Sequence, residues 1–96
     1  MELQRLVAEG AYQITRSAAE GAQEIGFDES DVTECVLSLD RRAFYKTMPA
    51  LRRPDRFQDV YRCRYLGCHL YLKLQISAAT QAVVISFKRD EGAPDE

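Results

Sequence analysis

The hydrophobic period of this chain changes once, near its middle, and that change limits the folds open to it. Up to about residue 45 apolar side chains recur at helical spacing, and from about residue 57 they alternate. Leu3, Leu6 and Val7 form a short stripe that Gly10 closes. Ser17-Ala18-Ala19-Glu20 has capping-box spacing and predicts a second helix from Ala18 to Ile25, stopped by Gly26. Asp28 or Ser30 can cap a third helix, on which Val32, Cys35, Val36 and Leu39 share one stripe. Asp40 can start one more helical turn through Phe44 and Tyr45; Pro49 ends it, because the residue before a proline is pushed out of the helical region. Residues 49–56, with Pro49, Pro54 and three arginines, read as a basic loop.

Beyond that loop, Leu70, Leu72, Leu74 and Ile76 point one way, while Tyr71, Lys73 and Gln75 point the other. Gln58–Leu66 and Ala82–Lys88 read as strands on the same evidence, and Gly67-Cys68 suits a two-residue type II′ hairpin turn. Helices followed by a strand meander predict an α+β fold, with the N-terminal helices packed on one face of a C-terminal antiparallel sheet. Ninety-six residues, 46% of them hydrophobic, suffice for a single domain, placed here at 1–88 with a flexible tail at 89–96 to which no chemistry is assigned. No apolar run is long enough to span a membrane, and Met1-Glu2-Leu3-Gln4-Arg5 opens a polar amphipathic stretch rather than a signal peptide. Cys35, Cys63 and Cys68 are odd in number and lack a CxxC, so a soluble cytoplasmic protein without a disulfide framework is expected.

Charge divides the chain differently. Between Arg41 and Lys73 lie 9 Lys and Arg against only Asp55 and Asp59, inside a protein of net charge −2. Residues 1–40 hold 2 basic and 9 acidic side chains. The basic stretch is interleaved with Phe44, Tyr45, Phe57, Tyr61, Tyr65 and Tyr71, a composition suited to a polyanion with stackable bases. With the turn at Gly67-Cys68, Arg64 faces Tyr71 and Arg62 faces Lys73. Burying Val83, Ile85 and Phe87 beside Leu70, Leu72 and Leu74 leaves a loop at 78–81 and sets Leu74 against Ile85, Leu72 against Phe87 and Tyr71 against Lys88. Gln58, Arg62, Arg64, Tyr71, Lys73, Ser86 and Lys88 then share one face. A merely solvated face of a half-buried sheet is the plain alternative. Four long cations repel one another, however, which favours an anionic ligand.

A single His69 excludes a two-histidine ribonuclease mechanism within one chain, and nothing beside it supplies a Ser/His/Asp triad. Cys63, Cys68 and His69 fall short of the four ligands of a structural zinc site, and no glycine-rich phosphate loop exists, so no metal or cofactor is expected. What remains is charge and hydrogen bonding. Lys46, Arg62, Lys73 and Lys88 can meet phosphate, Gln58 can orient it, and the Tyr71 hydroxyl can donate or accept. Such a set can stabilise a pentacoordinate phosphorane, with one lysine as general base on a ribose 2′-OH and another protonating the leaving oxygen.

Five segments carry a family resemblance: Ile14-Thr15-Arg16-Ser17-Ala18, Phe44-Tyr45-Lys46-Thr47-Met48, Gln58-Asp59-Val60-Tyr61-Arg62, Tyr71-Leu72-Lys73 and Val84-Ile85-Ser86-Phe87-Lys88. In order and nearly in spacing they resemble the MqsR toxins, over roughly residues 3–88. The resemblance implies a bacterial type II toxin with a RelE-like α+β fold, an endoribonuclease that cuts mRNA at GC-containing triplets such as GCU independently of the ribosome. It also implies a cognate antitoxin with zinc-binding and helix-turn-helix domains, through which alone operator DNA is contacted. On the matching motifs, Lys46, Gln58, Tyr71 and Lys88 are the implied catalytic residues, and Tyr45, Met48 and Arg62 flank them. A degenerate relative that only binds antitoxin or RNA is the alternative. Phe57 stands where the family type has tryptophan and Cys63 where it has proline, and neither change removes a reacting group.

Overall fold

A computed structural model describes residues 1–50 and 56–92. The elements run α1 (Glu2–Ala8), β1 (Tyr12–Ile14), α2 (Arg16–Glu24), α3 (Glu29–Ser38), a 3-10 turn (Arg41–Ala43), β2 (Phe44–Pro49), β3 (Phe57–Tyr65), β4 (Cys68–Ile76) and β5 (Ala82–Arg89). The strands form one sheet in the order β1-β5-β4-β3-β2. Only β1 joins in parallel, along β5; the other pairings are antiparallel. The expected α+β class is therefore observed, with the helices preceding all but the shortest strand.

The core lies between the helices and one sheet face. Leu3, Leu6 and Val7 of α1 and Val32, Cys35 and Val36 of α3 meet Leu70, Leu72, Leu74, Val84 and Phe87. Asp28 caps α3 reciprocally: the Asp31 amide donates to its Oδ1 at 3.0 Å, and its own amide donates to Asp31 Oδ2 at 2.9 Å. At the other end of α3, where backbone carbonyls run short of helical partners, Gln4 Nε2 donates to the Leu39 carbonyl at 2.6 Å and shares the Val36 carbonyl with the Leu39 amide. Among the described residues no helix is long and apolar enough to cross a membrane.

Several local expectations are corrected. The cap of α2 is Thr15, not Ser17: its Oγ1 accepts from the Ala18 amide at 3.1 Å and donates to the Ile85 carbonyl at 2.9 Å. Thr15 is committed to that position because its amide also donates to the Val84 carbonyl, extending the β1–β5 pairing. Past Thr15, α2 runs on along β5, and a Cβ built on Gly21 would lie 2.1 Å from the Phe87 carbonyl oxygen. Only glycine permits that approach.

The β3–β4 turn is Leu66-Gly67, both with positive φ (49° and 80°), the signature of a type I′ hairpin, and Tyr65 pairs with Cys68. Arg62 rather than Arg64 thus faces Tyr71, and Val60 rather than Arg62 faces Lys73. Each partner moves by two residues, an even shift, so every side chain keeps its face. In β5 the observed pairs include Leu72 with Phe87 and Tyr71 with Lys88, as expected, but Leu74 meets Val84 rather than Ile85. Ile85 is the extra residue of a bulge. Ala82 and Val84 are therefore buried before it and Phe87 after it, where Val83, Ile85 and Phe87 were expected together.

The helical turn expected through Phe44 and Tyr45 is also replaced. Asp40 caps only the 3-10 turn, accepting from the Arg42 amide at 2.9 Å, after which Phe44–Pro49 pairs with β3 as an edge strand. The nonlocal ladder to β3 overrides the local capping signal. Within the basic loop, Arg52, Arg53 and Pro54 lie outside the described residues, whereas the Ala50 amide donates to the Arg56 carbonyl at 2.9 Å.

Candidate functional site

Alternation divides the basic segment between two faces. On β3, Asp59 points away from the lysines and accepts a 2.8 Å hydrogen bond from Thr47 Oγ1, while Gln58, Val60, Arg62 and Arg64 occupy the open face. A bulge between Phe44 and Lys46 sends Phe44 back against Tyr61 and places Tyr45 beside Lys46 on the open side.

Cross-strand pairing sorts the open face into rows. Met48, Gln58 and Gln75 form one; Lys46, Val60, Lys73 and Ser86 the next; Arg62, Tyr71 and Lys88 the third; Arg64 and His69 the fourth. Neighbouring strands lie about 4.8 Å apart and successive same-face rows about 6.8 Å apart. The third row lines an open hollow bounded by Tyr45, Arg62, Tyr71, Lys88, Asp90 and Gly92. Lys88 Nζ stands 5.3 Å from the Tyr71 ring centroid, and Arg62 Cζ stands 5.1 Å from that of Tyr45. Lys46 Nζ approaches the same Tyr45 ring at 5.4 Å. At exposed positions each such contact contributes about 0.5–1 kcal/mol, enough to orient a cation without neutralising it.

Four of the expected site residues, Tyr45, Arg62, Tyr71 and Lys88, thus surround one hollow. Lys46 and Lys73 border it from the adjoining row, with Val60 wholly buried between them. Lysine stems can cover such an apolar floor while their ammonium groups stay in water. Gln58 and Met48 are two rows from the hollow, and Gln58 Nε2 is bonded to Gln75 Oε1 at 3.3 Å. Arg64 lies beyond the hollow in the fourth row. Among the described residues no carboxylate pairs with Lys46, Lys73 or Lys88, so their charge is available to a ligand.

Arg62 differs from these lysines. Its Nε donates to Asp90 Oδ2 at 2.7 Å, and this hydrogen bond holds the guanidinium pKa above its ordinary value. Asp90 belongs to the segment given no chemistry above; instead β5 runs through Arg89, and the Asp90 amide donates to the His69 carbonyl at 2.8 Å, continuing the ladder. Nothing local signals this residue. Only the i, i+2 spacing from Lys88 places it on the same face.

Residues 1–89 match the family described as motility quorum-sensing regulator, toxin of MqsA. The chain belongs to the MqsR toxin family. The mRNA interferase toxin MqsR of Escherichia coli (strain K12) is 33% identical over 87 residues, covering 91% of this chain and 87% of that protein. The family match takes in all five strands and ends one residue before Asp90. As toxins of MqsA, MqsR proteins are defined by an antitoxin partner.

Proposed function

We propose that this MqsR-family chain is a ribosome-independent endoribonuclease that cleaves mRNA at GC-containing triplets of the GCU kind and needs no metal. The carrying observation is the third row: Arg62, Tyr71 and Lys88 around one open hollow on a cationic face that no described helix covers. The attacking nucleophile is the substrate's ribose 2′-oxygen. It bonds to the adjacent phosphorus as the P–O5′ bond breaks, yielding a 2′,3′-cyclic phosphate and a 5′-OH; the proton lost by the 2′-OH is matched by one delivered to the leaving oxygen. Arg62 and Lys73 bind the nonbridging oxygens, whose charge grows in the transition state. Tyr71 and Lys88 share the reacting phosphate, Lys46 approaches from β2, and Gln58 and Met48 with Tyr45 contact the flanking nucleotides. Arg64 extends the cationic track. An oligonucleotide lacking the reacting 2′-OH cannot follow this route.

The partner is an antitoxin with zinc-binding and helix-turn-helix domains, and it is the antitoxin that reaches operator DNA. Purified protein should cut a GCU-containing RNA in EDTA and leave its 2′-deoxy analogue intact. Lys46→Ala, Gln58→Ala, Tyr71→Ala and Lys88→Ala should each slow the cut. If the wild-type protein leaves every RNA whole while still binding RNA or antitoxin, the chain is a binding module and the catalytic reading fails.

A further inference from the structure

The Asp90 carboxylate has both oxygens engaged and is almost inaccessible. Its side chain is 9% exposed, Oδ2 accepts from Arg62 Nε, and Oδ1 accepts from the Gly92 amide at 3.1 Å. It is unlike the ion pairs on α1, where Arg5, Glu2 and Glu9 all keep more than half of their side-chain surface in solvent. Arg62 springs from β3 and Asp90 follows β5, so the bond spans β4 and draws the guanidinium over the middle of the sheet. The Tyr45 ring holds the same guanidinium from the β2 side. Arginine carries five N–H donors in a rigid fork, and a carboxylate on Nε leaves terminal N–H groups for a second anion.

A carboxylate beside a phosphate site weakens binding by repulsion, yet here it lies at the edge of the cationic hollow. That cost is intelligible if the acid acts on orientation. Resting on the endoribonuclease reading, we infer that Asp90 is a positioning residue: it fixes Arg62 through Nε so that the terminal nitrogens present a preset fork to the RNA phosphate being cleaved. Binding energy otherwise spent in ordering a mobile arginine is then available in the transition state. Asp90 touches neither substrate nor reacting atoms and works only through Arg62.

The test combines cleavage rate, affinity for an uncleavable 2′-O-methyl RNA, and thermal melting, for the wild type, Asp90→Ala, Asp90→Asn, Arg62→Ala and the Asp90→Ala/Arg62→Ala double variant. Asp90→Ala should lower kcat by about tenfold or more. Affinity for the uncleavable RNA should stay level or tighten, because a negative charge has left the site. Asp90→Asn should recover much of the rate, since an amide oxygen still accepts from Nε. The double variant should be no slower than Arg62→Ala alone, as required of a residue acting through another. Wild-type cleavage by Asp90→Ala, or additive losses in the double variant, would overturn the positioning role while leaving the nuclease reading intact. Parallel falls in melting temperature and RNA affinity would reduce Asp90 to a structural residue. A wild type that cuts no RNA refutes the nuclease reading itself.

Discussion

Leu72 and Tyr71 are neighbours in β4, yet they belong to surfaces built on different principles. Leu70, Leu72 and Leu74 are sealed beneath the helices at 1% exposure or less, with Phe87 beside them. Tyr71 and Lys73 project from the same backbone onto a face where cations stand over aromatic rings. The first surface is held by apolar burial and shape, while the second keeps Lys46, Lys73 and Lys88 without a carboxylate partner among the described residues. The buried Val60 shows that even the open face needs an apolar floor. Substitutions should therefore separate: beneath the sheet they cost stability, and above it they cost chemistry.

Phe87→Ala is the strongest test on the covered side, removing the largest wholly buried side chain, and should cost about 3–5 kcal/mol in urea melts. Lys88→Ala, one residue along, should slow RNA cleavage by about 100-fold while the melting midpoint hardly moves, on the scale of losing one preorganised transition-state donor. A comparable loss of stability in Lys88→Ala would collapse the distinction between the faces. Gly21→Ala should cross it, because the new methyl meets the Phe87 carbonyl and pushes against the strand that carries Lys88. Overpacking of that kind costs roughly 1–3 kcal/mol, and melting and cleavage measured together should both decline. The smallest effect is expected at the hairpin. Leu66→Asn replaces a leucine at φ 49° with a residue that tolerates the left-handed region and creates an Asn-Gly type I′ turn, so it should raise stability by up to about 1 kcal/mol without altering cleavage.

Much of the open face was legible because period-two alternation survives errors of register. The turn was expected one residue too late, yet Arg62, Tyr71, Lys73 and Lys88 still share the expected face. Lys46 was legible in identity and not in placement: Phe44–Pro49 becomes a strand through pairing with β3, which Asp40 and its neighbours cannot signal. β1 has only three residues, too short for a periodic signature. Asp90 depends on a contact with a residue 28 positions away, and its near neighbours are ordinary polar tail residues. Gln58 matched by motif, but its row lies roughly 13 Å along the strand from that of Arg62, so one substrate must bridge them.

The bulge at Ile85 bears on which changes of length this chain can accept. Val84 faces inward, and a regular strand continuing from it would turn Ser86 and Lys88 inward and Phe87 outward. The supernumerary Ile85 restores the phase. Loss of Ile85 would leave an unbroken ladder in which Phe87 still faces the helices and Lys88 the open side, at the expense of the Thr15 bond to its carbonyl. Loss of Ser86 would instead leave the bulge position to absorb the gap. Between the adjacent Phe87 and Lys88 no such slack exists, and a residue inserted there would turn Lys88 from the open face towards the core.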